Sequence, residues 1–201
     1  VNPYSFVATD LNFTDATNFP VDKDDVSAVL DENEWTKTGS ATSKLTVSDS
    51  STDTDVEAVE IATDGSMTSS DDATAEFTNF SVTSDVEKRY LQAMLDVGTL
   101  DSAADVRLQA WDSDGDYVQA TVNSSHTGAN EGVIGNATGE GYVYQRQVGQ
   151  MTVMGNGDGT MNEIQTVAVE IVGADATVTI SALSDGDGLA VQPDDALVRS
   201  F

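Results

Sequence analysis

The sequence predicts an all-β protein, an antiparallel jelly-roll β-sandwich with at most one short helix. Apolar and polar residues alternate at a period of two along most of the chain. Clusters of Gly, Asp, Asn and Ser punctuate the alternating runs, and a helical period surfaces once. A chain of 201 residues buries one substantial core, so the expectation is a single domain, 1–201, with 1–43 as an N-terminal arm or extension and 184–201 as a C-terminal tail.

In chain order, the helical candidate is 22–33, where Asp24 or Asp25 can cap and Val26, Val29 and Leu30 fall at i, i+3 and i+4. Residues 44–48 and 56–62 read as strands, and the Ser/Thr/Asp/Gly stretches 48–55 and 63–72 read as flexible loops. In 73–82, Ala75 and Phe77 share one parity while Phe80 and Val82 share the other, which predicts a bulge near Asn79.

The clearest alternation runs through 88–122. Leu91, Ala93, Leu95 and Val97 form one inward row, Val106, Leu108 and Ala110 a second, and Val118, Ala120 and Val122 a third. Turns at 98–105 and at Asp112-Ser113-Asp114-Gly115-Asp116 separate them, so the three strands read as an antiparallel meander. Residues 141–148 and 150–154 form a pair around Gly149. In 162–183, the rows Val167, Val169, Ile171 and Val178, Ile180, Ala182 flank Gly173-Ala174-Asp175 and read as a hairpin. About eight to ten strands result, at the spacing of a sandwich or jelly roll. Leu91, Leu95, Val106, Leu108, Val118, Val122, Val167, Val169, Ile171, Val178 and Ile180 are the expected core.

Only 6% of residues are aromatic, so that core is lean. Lys and Arg number 8 against 35 Asp and Glu, a formal charge of -27 spread over every segment. Such a surface repels itself in dilute buffer, whereas at 1 M salt the Debye length is about 3 Å and the repulsion is screened. The pattern resembles proteins of halophilic archaea and their viruses, and it implies cations gathered at the acidic surface. It argues against nucleic-acid binding, which draws its affinity from Lys and Arg displacing counterions. The absence of Cys excludes disulfides and thiol chemistry. No run reaches the 18 or so apolar residues of a membrane span, and residues 1–6 carry neither a basic nor an apolar leader pattern, so no secretion signal is expected.

Catalytic signatures are missing, and the chain is expected to be a non-enzyme without a cofactor. His126, the one histidine, lies in a polar stretch with no local pattern for a base or ligand. Asp112, Asp114 and Asp116 resemble a fragment of a calcium loop, but the Gly is misplaced and the distant bidentate Glu is absent, so a turn explains them better. Asn12, Asn79, Asn123 and Asn136 fit the N-glycosylation acceptor pattern. Trp35, Trp111, Tyr117, Tyr142 and Tyr144 are the aromatics that could stack on sugars if they share a face.

The meander followed by a late hairpin in 167–171 and 177–181 is similar to two families: the upright single-jelly-roll capsid proteins of haloarchaeal icosahedral viruses that enclose a membrane, and carbohydrate-binding modules. The first resemblance implies a structural virion protein, a shell subunit associating with its own copies or with paralogous capsid proteins, above an underlying membrane layer. The second implies a carbohydrate-binding or cell-surface β-sandwich module of a halophile, with Trp111, Tyr117, Tyr142 and Tyr144 as stacking residues. A free-standing single jelly roll without a visible leader makes the capsid the leading expectation.

Overall fold

A computed structural model describes residues 31–50, 58–78, 83, 85–123 and 141–184. These form eleven strands: β1 (Thr36–Thr38), β2 (Leu45–Asp49), β3 (Val59–Thr63), β4 (Asp72–Phe77), β5 (Tyr90–Leu100), β6 (Asp105–Trp111), β7 (Asp116–Asn123), β8 (Gly141–Gln147), β9 (Met154–Gly155), β10 (Thr166–Val172) and β11 (Ala176–Ser184). Four single turns of 3-10 helix are the only helical elements among the described residues. Every pairing is antiparallel, and the strands make a six-stranded sheet in the order β1-β4-β10-β6-β7-β9 and a five-stranded sheet in the order β2-β3-β11-β5-β8. The architecture is the expected jelly-roll sandwich.

Parity fixes the core. Across the six-stranded sheet, Phe77, Val167, Ala110 and Val118 lie in one inward row and Ala73, Ile171, Val106 and Val122 in another, all buried. Val59, Ile180 and Leu95, with Ile61, Val178 and Val97, supply the facing rows of the five-stranded sheet. Every residue of the expected core is buried. Val, Ile, Leu and Ala make up these rows apart from Phe77, so two lean sheets pack face to face. The aromatic members of the cluster are Phe77 and Trp35, whose rings meet at a centroid distance of 5.9 Å and a tilt of 53°.

The connections differ from the sequence reading. β6 and β7 form a hairpin closed by the Asp112 N–H donating to the Asp116 carbonyl at 2.8 Å. β5, however, belongs to the other sheet, so the meander becomes a hairpin plus an inter-sheet corner at 101–104. β10 and β11 likewise lie in different sheets, and Gly173 marks a corner rather than a hairpin. Gly173 has φ +85, and a Cβ there would stand 2.9 Å from the Ala103 carbonyl oxygen, so the two corners pack backbone to backbone. The physical reason is general: a period of two tells inward from outward, and both sheets share the same inside.

The strand expected at 150–154 is a two-residue strand after the 3-10 turn Val148–Gln150. Part of the supposed arm belongs to the sandwich, because Trp35 and Ala41 are core residues and β1 pairs with β4. The 63–72 stretch is pinned: Lys44 Nζ donates to Asp71 Oδ2 at 2.7 Å and to the Ser66 carbonyl at 2.8 Å, and the Gly65 N–H donates to Asp175 Oδ1 at 3.1 Å. The helical candidate 22–33 falls mostly outside the described residues; its last residues hold a 3-10 turn whose Asn33 N–H is capped by Asp31 at 2.9 Å. The bulge near Asn79 lies outside the described residues.

Candidate functional site

The strands that bury Val106, Leu108 and Ala110 turn their intervening residues away from the core, and on β6 those residues are Asp105, Arg107, Gln109 and Trp111. Directly opposite on β7 stand Asn123, Thr121, Gln119 and Tyr117. On the other flank β10 contributes Thr166, Ala168 and Glu170, and β4 adds Thr74 and Glu76. Trp111 and Tyr117 are half-buried and stacked, with ring centroids 4.1 Å apart and planes inclined by 25°. Each ring limits the other's rotation, so the pair is held in one orientation before any ligand arrives.

A continuous hydrogen-bond chain leads away from this pair. The Trp111 indole N–H donates to Gln109 Oε1 at 2.9 Å. Gln109 Nε2 donates to Gln119 Oε1 at 2.9 Å and to Glu170 Oε2 at 3.1 Å. Arg107 donates through Nη1 to the same Glu170 oxygen at 3.0 Å and through Nη2 to Asp105 Oδ2 at 3.4 Å, and Asn123 Nδ2 donates to Asp105 Oδ1 at 3.0 Å. Gln109 and Gln119 are buried on this outward face, whereas the side chains of Arg107 and Asp105 keep 30% and 37% of their exposure. The buried amides therefore position groups that a ligand can reach.

Beyond Trp111 and Tyr117, the β6–β7 turn carries three Asp residues. Asp116 is buried, and its carboxylate accepts the N–H groups of Gly157 at 2.8 Å, Gly159 at 2.6 Å and Thr160 at 3.1 Å. Asp112 accepts those of Asn162 at 2.6 Å and Glu163 at 3.1 Å, and Asp114 that of Asp158 at 3.0 Å. Gly155 permits the approach: its φ is +117, and a Cβ would overlap the Gly115 carbonyl oxygen. Asp114, Asp116 and Asp158 bring carboxylate oxygens within 4.8 Å of one another. These acceptors are engaged by backbone amides, so the cluster pins the 155–163 segment to the turn. The Thr160 hydroxyl and amide, with the Asn162 amide group, hold the Asp158 carboxyl below the ordinary carboxylate range.

The structure separates the aromatics grouped by sequence. Trp111 and Tyr117 share the outward face of the six-stranded sheet, Trp35 is buried in the core, and Tyr142 and Tyr144 sit on β8 of the five-stranded sheet, paired with Leu95 and Ala93. Asn123 is buried and its amide is committed to Asp105, a poor setting for glycan attachment. Asn12, Asn79, Asn136 and His126 lie outside the described residues. Sequence reasoning missed Asp105, Arg107, Gln109, Gln119 and Glu170. Their outward parity beside Trp111 was visible; the alignment of Glu170 with Arg107, 63 residues away, was not.

No protein-family model and no curated protein matches the sequence significantly. Solved structures do resemble the fold. A family 11 carbohydrate-binding module from Clostridium thermocellum, in complex with a β-1,3-1,4-mixed-linked tetrasaccharide, superposes with a TM-score of 0.52 at 8% identity, covering 75% of this chain and 86% of that one. The family 11 module of the cellulosomal cellulase Lic26A-Cel5E of the same organism gives 0.51 at 8% identity, over 75% and 85%. The glycoside hydrolase domain structure of Endo-D from Streptococcus pneumoniae R6 gives 0.50 at 12% identity, over 77% of this chain and 22% of that one. These likenesses show a β-sandwich fold shared with binding modules and with part of a glycoside hydrolase.

Proposed function

We propose that this chain is a non-catalytic carbohydrate-binding β-sandwich module that works in salty water, outside the cell or at its surface. One observation carries the proposal: the Trp111–Tyr117 stack is wired by hydrogen bonds into an amide and carboxylate network on one outward sheet face. A sugar ring needs an apolar surface for its C–H groups and fixed polar partners for its hydroxyls, and this face places both side by side. The fold likeness to two carbohydrate-binding modules, one holding a tetrasaccharide, supports the same reading.

Affinity electrophoresis and calorimetry against neutral polysaccharides in 2 M KCl test it. Binding that is lost in both Trp111→Ala and Tyr117→Ala, with the fold retained, is the expected result. No binding to any polysaccharide would overturn it. The virion-shell reading draws no support from the structural likenesses, and its own signature is a shell-sized native mass in high salt, in association with copies or paralogues.

A further inference from the structure

We infer, resting on the binding reading above, that this face selects uncharged glycans and rejects carboxylated ones through local groups rather than through the protein's net charge. Among the described residues, Arg107 is the only Lys or Arg at an outward position on the six-stranded sheet; Lys37 on β1 pairs opposite Ala75, at an inward position. That single guanidinium is already committed, to Glu170 at 3.0 Å and to Asp105 at 3.4 Å. Among the described residues, a glycan carboxylate reaching the face would find no cation that is not already paired with a carboxylate, and it would have to sit against Glu170 and Asp105.

A hydroxyl faces the opposite situation. The same two carboxylates offer acceptor capacity to a donor, and hydrogen bonds to an ionised acceptor are the stronger class. Glu76 on β4 adds a third carboxylate, which accepts from Thr38 Oγ1 at 2.6 Å. The face is therefore acceptor-rich, suited to polyol hydroxyls acting as donors.

Local and global charge respond differently to salt. Repulsion from the net charge of -27 acts at long range and is screened at molar salt, where the Debye length is about 3 Å. Contact between a ligand carboxylate and Glu170 is closer than the ions can intervene, so the discrimination persists. Releasing Arg107 from its carboxylates gives an incoming anion a partner.

The test compares a neutral β-glucan and a neutral β-galactan, each with its own derivative oxidised to a carboxylate at C6, by calorimetry with the full chain. At 2 M KCl the better neutral polymer is expected to bind at least about tenfold more tightly than its oxidised form, a difference of about 1.4 kcal/mol. Glu170→Gln, which removes the nearer of Arg107's two carboxylates and leaves the longer contact with Asp105, is expected to pull that ratio toward one; Asp105→Asn serves if Glu170→Gln does not fold. Equal affinities at 2 M KCl with discrimination only at low salt would overturn the inference, because net charge alone would explain it. Tighter binding of an oxidised polymer, or a ratio unmoved in the folded variant, would overturn it while leaving the binding reading intact. Failure of all four polymers to bind at any salt would count against both.

Discussion

Gln109 accepts the indole N–H of Trp111 at 2.9 Å with its carbonyl oxygen, while its amide nitrogen bridges Gln119 and Glu170. One buried side chain thus joins the aromatic pair to the charged part of the face. Gln109→Ala deletes all three bonds and strands the indole donor and the Gln119 carbonyl. Unfolding by denaturant in high salt should show a loss of about 1–3 kcal/mol. Gln109→Glu keeps an acceptor for the indole but sets a carboxylate against Glu170, and should lose at least as much. An unchanged midpoint in both variants would show that the network does not order the face.

Asp116 accepts three backbone N–H groups from the 157–160 segment. Asp116→Ala leaves those donors unmet and should cost about 3 kcal/mol, within the range for breaking charge-assisted bonds at a buried site. Asp116→Asn preserves shape but turns an N–H donor toward donors, so it should not rescue. Added calcium should change the melting temperature of the native chain no more than equimolar magnesium does. A calcium-specific rise of several degrees, lost in Asp116→Asn, would instead mark Asp114, Asp116 and Asp158 as an ion site.

Lys44, followed by the Thr68 hydroxyl and amide, draws the Asp71 carboxyl from its ordinary 3.8 to about 2. A carboxyl depressed by folding contributes stability above its unfolded pKa and loses it as pH falls through the folded one. This contribution should therefore be complete above about pH 5 and fade between about pH 4 and 2. Lys44→Met should move the Asp71 titration, followed by carboxyl NMR, upward toward the ordinary range and remove part of the acid sensitivity of the 63–72 segment. A titration that does not move would mean that the ion pair is not formed in solution.

The formal charge of -27 makes the fold's salt response a direct measurement. Lengthening the Debye length from about 3 Å at 1 M to about 30 Å at 0.01 M should lower the melting temperature, by about 2–4 °C for every kcal/mol of repulsion unmasked. Mild acid, near pH 4 to 5, should restore part of the loss at low salt by neutralising carboxylates. Circular dichroism along a salt series checks both; a flat profile would separate the acidic surface from any adaptation to brine.

The inward rows were legible because alternation is local. Leu91 to Val97, Val106 to Ala110 and Val167 to Ile171 announce their buried sides within a few residues. Sheet membership was not legible: the corner at 101–104 and the hairpin loop at 112–116 both open on Asp-Ser, yet one crosses between sheets and the other stays within one. Trp35 stood among the candidate stacking aromatics because its contact, Phe77, lies 42 positions along the chain. The candidate site shared that fate. Its aromatic pair flanks one hairpin and could be read, while Glu170 and Arg107 meet only through the β10–β6 pairing.

The last two strands in the described order, β10 and β11, occupy the interior of their sheets: β10 separates β4 from β6, and β11 separates β3 from β5. Before residues 166–184 emerge from a ribosome, β4 and β6 have no common neighbour and the early strands exist as disconnected hairpins and edges. Contacts that span so much chain make for slow, high-contact-order folding. Cotranslational folding of the sandwich should therefore be nearly all-or-none, with exposed strand edges held open until residues 166–184 arrive.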